Sequence, residues 1–275
     1  MKMELTKKHK SFEGFTNYYK HNSVETGTEM SFSTFEPTGK VENAIIWLSG
    51  LTCTEENFIT KSGVQKLLSE TNTMVICPDT SPRGLDLKDE HESYDFGSGA
   101  SFYVNATTPG YKDHYRMYDY ISKEIVGLLK ENFSIKKISI MGHSMGGHGA
   151  LVLALNEADK FTSVSAFSPI VNPTKCPWGK KAFQGYLATE DEASKYDATL
   201  LVKSGQRRED TILIDQGLSD EFLEKELLTD NFTQVCKEQG QGLEVNYREG
   251  HNHSYFFIST FLESHVEHHL SYLNK

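Results

Sequence analysis

The sequence lacks several features that mark particular classes of protein. Of its 275 residues, 28 are Lys or Arg and 38 are Asp or Glu, so the formal net charge is −10 and no basic stripe is available to bind phosphates. No apolar run approaches the length that spans a bilayer, and the basic start, MKMELTKKHKSFEGF, has no apolar h-region of a signal peptide. We therefore expect a cytoplasmic protein that binds neither nucleic acid nor membranes.

Cysteine is also scarce. The four cysteines, Cys53, Cys77, Cys176 and Cys236, show no C-x-x-C spacing, and a chain of this length can build a core without disulfides. We expect four reduced thiols. No low-complexity segment or polar linker divides the chain, so we predict a single domain over residues 1–275.

What the sequence does contain is an alternation of short apolar runs and longer segments. FTNYYKHN (15–22) and MSFSTFEP (30–37) alternate apolar and polar residues around TGT, which predicts an antiparallel N-terminal hairpin. Six apolar runs then predict buried parallel strands: NAIIWLSG (43–50), TMVICPD (73–79), KISIMGHS (137–144), SVSAFSP (163–169), TILIDQG (211–217) and LEVNYREG (243–250). Right-handed crossovers between them predict an α/β fold with a doubly wound, mostly parallel sheet and helices on both faces.

Four segments between and after these runs repeat apolar residues at intervals of three and four, which predicts helices. They are HYRMYDYISKEIVGLLKENF (114–133), GGHGALVLALNEA (146–158), DEFLEKELLTDNFTQVCKEQG (220–240) and SYFFISTFLESHVEHHLSYL (254–273). The one long interruption that we single out, at about 171–210, is predicted to form an excursion over the edge of the sheet that holds the active site.

The motif GHSMG (142–146) fits the pattern G-x-S-x-G, in which a serine sits on a strained turn between a strand and a helix. Gly142 and Gly146 flank Ser144 at positions where a Cβ would collide with the tight turn. A β-branched run precedes the motif and an Ala/Leu-rich helix follows it. We predict a nucleophile elbow, with a glycine-rich helix start or an anion-binding turn as the alternatives.

A serine hydroxyl is a poor nucleophile unless a base takes its proton, and an acid must orient the base. After a nucleophile elbow the chain order is serine, then Asp or Glu, then His, which disfavours the histidines preceding Ser144 and also His148 in the following helix. His251 and His253 lie in the loop before the final helix, where the base belongs. A metal pair of H-x-H type is the alternative for these two residues.

The remaining histidines are His265, His268 and His269, in the predicted final helix. Imidazoles near a helix C-terminus interact favourably with the helix dipole. A metal pair formed by His265 and His269, at i and i+4, is the alternative.

Two carboxylates follow the strand TILIDQG and compete for the role of the acid. Asp215 ends the strand and can instead bond backbone amides of the turn. Asp220 lies farther into the loop and has more reach toward a histidine, although it could simply cap a helix starting at Glu221. The residues alone leave both choices open.

The chain resembles the S-formylglutathione hydrolase (esterase D) family of α/β hydrolases over almost its whole length. The matching segments are LSGLTCTEENF, PDTSPRG, FYVNATTPGY, GHSMGGHGAL, NPTKCPWGKKAF, DQGLSDEFL and HSYFFISTF. The resemblance implies the α/β-hydrolase fold, with Ser144 as nucleophile, Asp220 as acid and His253 as base. It also implies hydrolysis of S-formylglutathione to formate and glutathione, a step in formaldehyde detoxification, through a formyl-enzyme and without metal or organic cofactor.

The oxyanion formed in such a reaction needs hydrogen-bond donors. One is the backbone N–H of Met145, the residue after the nucleophile, and the resemblance points to Leu51 for the other. The expectation of a homodimer rests on the resemblance alone. A general short-chain carboxylesterase and a non-catalytic binding module are the alternative functions, because a fold does not fix a substrate.

Several further residues are candidates for the substrate pocket. Cys53 is expected near the pocket, with an inert buried thiol as the alternative. Trp178 could wall the pocket or simply be packed, and Lys180 and Lys181 could attract glutathione carboxylates or be solvated. Three departures from the family pattern, Ser101, His251 and Asn252, could alter the pocket or the surroundings of the base.

Overall fold

The computed structural model describes residues 2–275, so Met1 of the predicted domain lies outside the described residues. Its strands are β1 (Glu4–Ser11), β2 (Gly14–Asn22), β3 (Glu29–Pro37), β4 (Asn43–Leu48), β5 (Thr73–Pro78), β6 (Lys137–His143), β7 (Val164–Phe167), β8 (Ile212–Gly217) and β9 (Leu243–Arg248). They form one sheet in the order β1-β2-β3-β5-β4-β6-β7-β8-β9. Every pairing from β5 to β9 is parallel, and the three N-terminal strands pair antiparallel. The predicted fold class is confirmed.

The N-terminal hairpin is confirmed as β2 paired with β3, with Tyr18 opposite Ser33. The edge strand β1 was not predicted. All but one of its residues are exposed and most are charged or polar, so they carry no alternation of apolar and polar positions. Strand β1 is held in its extended conformation by backbone pairing with β2, and this pairing is not visible in the pattern of its side chains.

The central strands read as continuous apolar runs because both of their faces are buried. In β4, Ile45 and Trp47 belong to the core on one side of the sheet, where Trp47 stacks on Phe58 with ring centroids 3.7 Å apart. Ile46 and Leu48 belong to the core on the opposite side. Such a strand is held in register by packing on both faces, which fixes the edge where the active-site loops begin.

The helices cover both faces of the sheet. They are α1 (Glu56–Lys61), α2 (Val64–Leu68), α3 (Met117–Asp119), α4 (Val126–Phe133), α5 (Met145–Asn156), α6 (Pro177–Tyr186), α7 (Glu190–Ala193), α8 (Ala198–Lys203), α9 (Thr229–Gln239) and α10 (Tyr255–Leu273). A π-helical turn, Tyr120–Ile125, joins α3 to α4. The predicted helices at 114–133, 146–158 and 254–273 are therefore present, with ends shifted by at most three residues.

The single helix predicted over 220–240 is wrong. The structure has a π-helical turn, Leu223–Leu227, and then α9, because Leu228 takes a left-handed conformation with φ of 57° between them. The Thr229 hydroxyl, at the start of α9, donates to Gln216 Oε1 at 2.8 Å. This contact with the end of β8 is tertiary, and helical periodicity does not reveal it.

His265 and His269 of α10 are buried against the sheet and do not act through the helix dipole as expected, whereas His268 is half-buried. His269 bonds the hydroxyls of Ser163 and Ser165 at 2.8 Å each, and His265 bonds Ser165 at 2.8 Å. Burial lowers the pKa of both imidazoles, so they are neutral at physiological pH and carry no charge for the dipole to stabilise.

Two long connections cross the edge where the parallel strands end. Residues 171–210 contain α6, α7 and α8. The segment 79–116, which the sequence analysis did not single out, contains little regular structure besides the 3₁₀ turn Gly97–Gly99. Both contribute side chains to the cavity described below.

Candidate active site

Ser144 occupies a strained turn between β6 and α5. Its φ is 58° and its ψ −120°, a conformation that L-residues rarely adopt. A Cβ on Gly142 would lie 2.3 Å from the Gly146 carbonyl oxygen, and one on Gly146 would lie 2.0 Å from the Leu48 carbonyl oxygen. The steric role predicted for both glycines is confirmed, because nothing larger fits where the turn presses against β4.

A cavity of about 840 Å³ opens beside Ser144 at the carboxyl ends of the parallel strands. Its walls include five of the residues that the sequence analysis singled out: Leu51, Cys53, Ser144, Trp178 and His253. These come from the loop after β4, the turn after β6, α6 and the loop after β9. Residues far apart in the chain thus meet because parallel strands end at one edge of the sheet.

His253 is bonded to Asp220 on the wall of this cavity. Its Nδ1 lies 2.6 Å from Asp220 Oδ2, and a buried carboxylate accepts hydrogen bonds, so Nδ1 carries the proton. Asp220 Oδ1 accepts the backbone N–H of Phe222 at 3.0 Å. No helix starts at Glu221, so the N-cap considered as the alternative role of Asp220 is absent, and its bond to Phe222 closes a turn before the π-helical turn Leu223–Leu227.

Asp215 and His251 lie in different surroundings. Asp215 is buried and accepts a hydrogen bond from Arg248 Nε at 2.8 Å. Burial would raise its pKa, but His265 and Arg248 together outweigh burial, and the pKa lies below its ordinary value. The His251 ring packs edge-on against Phe261, with centroids 4.8 Å apart. Neither side chain lines the cavity of Ser144.

His143 is a cavity residue that sequence reasoning missed. Its ring centroid lies 4.3 Å from that of His253, and its Nε2 is buried without a hydrogen-bond partner. Burial, with a smaller contribution from His253, holds the pKa of His143 well below 6.5, so this second imidazole is neutral. Its position immediately before Ser144 is the sequence signal that could have found it.

The loop that carries Leu51 is fixed on several sides. The Tyr103 hydroxyl donates to the Ser49 carbonyl at 2.9 Å, and the Thr52 N–H donates to the Gly99 carbonyl at 2.8 Å. Met145 is the first residue of α5, so its N–H has no acceptor within the helix. Leu51 and Ser144 line the same cavity, and Met145 directly follows Ser144 in the chain.

The segment PDTSPRG (78–84) contacts the loop that carries Leu51 and Cys53. The Arg83 guanidinium binds Asp79 through Nε at 2.9 Å and through a second nitrogen at 2.6 Å. It also donates to the Cys53 carbonyl at 3.4 Å, and the Thr80 hydroxyl donates to that carbonyl at 2.5 Å. A bidentate pair with a buried carboxylate is a rigid support, so the position of Cys53 is defined by side chains about 30 residues away.

Cys53 and Trp178 both lie on the cavity wall. Cys53 is half-buried, and burial raises the pKa of its thiol. The Trp178 indole donates to the Tyr94 hydroxyl at 3.2 Å and packs on Phe222, with centroids 4.8 Å apart. The Trp178 ring is thus held by partners that also line the cavity.

Lys180 and Lys181 are exposed, so of the two roles considered for them the solvated one is confirmed. Lys181 forms an ion pair with Asp95, and Lys180 lines a separate cavity beside Gln184. The lysine on the wall of the Ser144 cavity is Lys61, one helical turn after Asn57, which lines it too. Asn57 belongs to LTCTEENF and Lys61 follows it at i, i+4, the spacing of side chains on one helix face, which was the signal available in the sequence.

The departures from the family pattern have separate structural roles. The Ser101 hydroxyl is buried away from the cavity, where it donates to the Thr80 carbonyl at 2.5 Å and accepts the Tyr103 N–H at 3.2 Å. Asn252 Oδ1 accepts the Ser254 hydroxyl at 2.7 Å, and Ser254 lines the cavity. Of these two side chains, Asn252 is the one next to the site.

Several features are absent from residues 2–275. This part of the chain contains no group of three or more His, Cys, Asp or Glu side chains arranged to hold a metal ion. Nor does it contain a helix of the length and apolarity needed to cross a membrane. All four cysteines are unpaired, as predicted.

A serine on a strained turn after a parallel strand, sharing a cavity with a carboxylate-bound imidazole, is typical of serine hydrolases with the α/β-hydrolase fold, and this chain is one of them. The family model described as "Putative esterase" matches residues 23–268. The S-formylglutathione hydrolase of Rattus norvegicus is 49% identical over 282 aligned residues that cover 100% of both chains. That of Arabidopsis thaliana is 48% identical, with 94% of each chain covered. The chain belongs to the S-formylglutathione hydrolase family.

A solved structure shows the same architecture. The S-formylglutathione hydrolase from Agrobacterium tumefaciens superposes with a TM-score of 0.94 at 38% identity, covering 98% of this chain and 99% of that one. A ferulic acid esterase from Anaeromyces mucronatus superposes with a TM-score of 0.68 at 17% identity, a similarity of fold alone. The fold is therefore shared with esterases of other substrates, and the substrate must be argued from the site.

Proposed function

We propose that this protein hydrolyses S-formylglutathione to formate and glutathione, with Ser144 as nucleophile, His253 as base and Asp220 as the acid that orients it. The observation that carries the proposal is that His253, bonded to Asp220 at 2.6 Å, lines the same cavity as Ser144. The relatives that cover the whole chain at close to 50% identity are S-formylglutathione hydrolases, which supports the choice of substrate.

Acylation follows from the placement of these groups. Ser144 Oγ attacks the formyl carbon while His253 Nε2 takes the hydroxyl proton. The carbonyl oxygen becomes an oxyanion that accepts the N–H groups of Met145 and Leu51. As the C–S bond breaks, His253 returns the proton to the departing sulfur, which leaves glutathione as a thiol and Ser144 as a formyl ester.

Deacylation repeats the steps with water. His253 takes a proton from a water molecule that attacks the formyl ester, and the Ser144 oxygen leaves with that proton as formate is released. Asp220 accepts a hydrogen bond from the Nδ1–H of His253 throughout, which keeps Nε2 free as the proton acceptor and stabilises the imidazolium. The neutral state of His143 suits this scheme, because a charged neighbour at 4.3 Å would oppose protonation of His253.

Selectivity for formyl requires exclusion of larger acyl groups. A formyl carbonyl carries a hydrogen where an acetyl carbonyl carries a methyl. One misplaced methyl changes transition-state binding by about 1–3 kcal/mol, or roughly 10- to 200-fold in the specificity constant. We expect specificity to fall from formyl to acetyl to lactoyl glutathione.

The alternative is a general short-chain carboxylesterase, which the match to the esterase family supports. The test is the kcat/KM of the purified protein on formyl, acetyl and lactoyl glutathione and on a short aryl acetate. Each value is divided by the rate of hydroxide-catalysed hydrolysis of the same compound, because a formyl carbonyl is intrinsically more electrophilic. A corrected formyl preference of about tenfold or more supports the proposal. A ratio near one, with equal turnover of aryl acetate, supports the general esterase.

Trp178 and Cys53 are proposed to contact substrate, on the basis of their places on the cavity wall. The homodimer, the cytoplasmic location and the single domain with its excursion at about 171–210 stay predictions from the sequence.

A further inference from the structure

The cavity beside Ser144 differs in charge from the rest of the molecule. The chain as a whole carries 38 acidic and 28 basic residues. Yet no acidic side chain is among the described residues that line the cavity, and Lys61 is the one lysine or arginine among them. Low-dielectric walls focus the electric field of the Lys61 ammonium. The cavity therefore attracts anions, although the molecule as a whole is acidic.

Lys61 is also distinguished by what holds its ammonium group. Eight other lysines of residues 2–275 form ion pairs with acidic side chains, among them Lys136 with Glu42 and Lys123 with Asp119. Lys61 instead lies over the ring of Tyr255, with Nζ 5.2 Å from the ring centroid. A cation–π contact orients the ammonium without neutralising it, so its charge remains free for a ligand.

The positive charge of Lys61 is felt within the cavity. Burial raises the pKa of Cys53, and the strongest opposing influence is the charge of Lys61. Cys53 lies on the loop that also carries Leu51, so the field of the ammonium reaches the neighbourhood of the reacting bond. A substrate that spans from Ser144 to Lys61 would therefore feel this charge along its length.

We propose that Lys61 binds a carboxylate of the leaving thiol and is a specificity-determining residue of this enzyme. The inference rests on the proposed function, in which the leaving thiol is glutathione, a tripeptide with two carboxylates. This is the role that the sequence analysis offered as one of two alternatives for Lys180 and Lys181, which do not line this cavity. Lys61 acts on substrate binding, whereas the acyl carbon and the triad determine the chemistry.

A binding experiment tests this without any turnover. The dissociation constant of S-hexylglutathione, an unreactive thioether, is measured by calorimetry with the wild type, Lys61→Gln and Lys61→Arg. Lys66→Gln is the matched control, because it removes the same charge from an exposed position of α2 outside the cavity. An exposed ion pair changes an affinity by up to about fivefold. We expect that loss in Lys61→Gln, wild-type binding in Lys66→Gln and recovery in Lys61→Arg.

Kinetics supply a second readout. The ratio of kcat/KM for S-formylglutathione to that for neutral 4-nitrophenyl acetate should fall about fivefold in Lys61→Gln, through KM, and the effect should shrink as salt is added. Unchanged S-hexylglutathione binding in Lys61→Gln, absence of binding by the wild type, or equal loss on both substrates would each overturn the role of Lys61. Failure of the wild type to hydrolyse S-formylglutathione would instead overturn the proposed function, and the calorimetric comparison would still decide the role of Lys61.

Discussion

The imidazole of His253 and the carboxylate of Asp220 are joined at 2.6 Å between Nδ1 and Oδ2, and the carboxylate is buried. An amide at position 220 would lack the charge and could present its NH₂ group to Nδ1, which favours the wrong tautomer of His253. We expect Asp220→Asn to lower kcat on S-formylglutathione by as much as about 10⁴-fold. Steady-state kinetics with a thermal melt on the same sample would show the loss in a folded protein.

Asp215→Asn is the control, because Asp215 pairs with Arg248 and not with His253. Its amide would leave Arg248 without an ionic partner, so we expect a lower melting temperature with activity per folded molecule within a few-fold of the wild type. If Asp215→Asn lost more activity than Asp220→Asn, the assignment of the acid would be wrong.

The two histidines of the same loop should differ strongly. His253→Ala removes the group that moves the proton, and general acid–base catalysis contributes about 10²- to 10⁴-fold to a rate. His251→Ala removes a ring that packs on Phe261 and should cost roughly 1 kcal/mol of stability with little change in kcat. Turnover of both variants at saturating substrate compares them directly. The opposite ranking would identify His251 as the base.

Cys53 gives a chemical test of the cavity wall. Cys77, Cys176 and Cys236 are buried, so N-ethylmaleimide should inactivate the wild type through Cys53. Because burial raises the pKa of Cys53 and the thiolate is the reactive form, inactivation should accelerate as the pH rises. Cys53→Ser should stay active and resist the reagent. Equal inactivation of both proteins would mean that Cys53 is an inert buried thiol.

The buried histidines should make the fold sensitive to acid. Burial lowers the pKa of His148 from 6.5 to about 4, although its hydrogen bond to the Phe102 carbonyl opposes the shift. The unfolded chain therefore binds the proton more readily, and stability is lost as the pH falls from about 6.5 toward about 4. His148 contributes on the order of 3 kcal/mol over that range.

The measurement is the free energy of unfolding in urea at about pH 7.5 and about pH 5. His148→Gln retains an N–H donor but cannot titrate in this range, so the difference between the two pH values should be smaller than in the wild type. His9→Gln, at an exposed position of β1, should keep the wild-type difference. The same pH dependence in His148→Gln as in the wild type would contradict the assignment.

The parts of the fold that could be predicted from the sequence are those that local patterns determine. Strands β4 to β8 are buried on both faces, so their apolar runs are continuous, and the Ser144 turn requires glycine at fixed positions. The burial predicted for LEVNYREG is wrong, because β9 is the edge strand of the sheet and none of its residues is fully buried. The triad candidates could be narrowed by chain order, but the residues alone did not separate Asp215 from Asp220. Their difference depends on Arg248 and His253, which approach them only in the folded chain.

The remainder depends on tertiary contacts. Strand β1 is ordered by its pairing with β2, and the helix predicted over 220–240 is interrupted at Leu228 by the conformation of the backbone. The sequence left open whether Lys181 attracts a substrate carboxylate or is solvated, and the structure pairs it with Asp95, 86 positions away. The spacing of lysines along the chain does not show which carboxylate each of them pairs with in the folded protein.

Ser144→Ala tests the central claim most directly, through its kcat/KM on S-formylglutathione beside the wild type. Alanine has no γ-oxygen and cannot form the formyl ester, so the variant should melt like the wild type and lose activity by on the order of 10⁶-fold. Activity near that of the wild type in a folded Ser144→Ala protein would contradict the account.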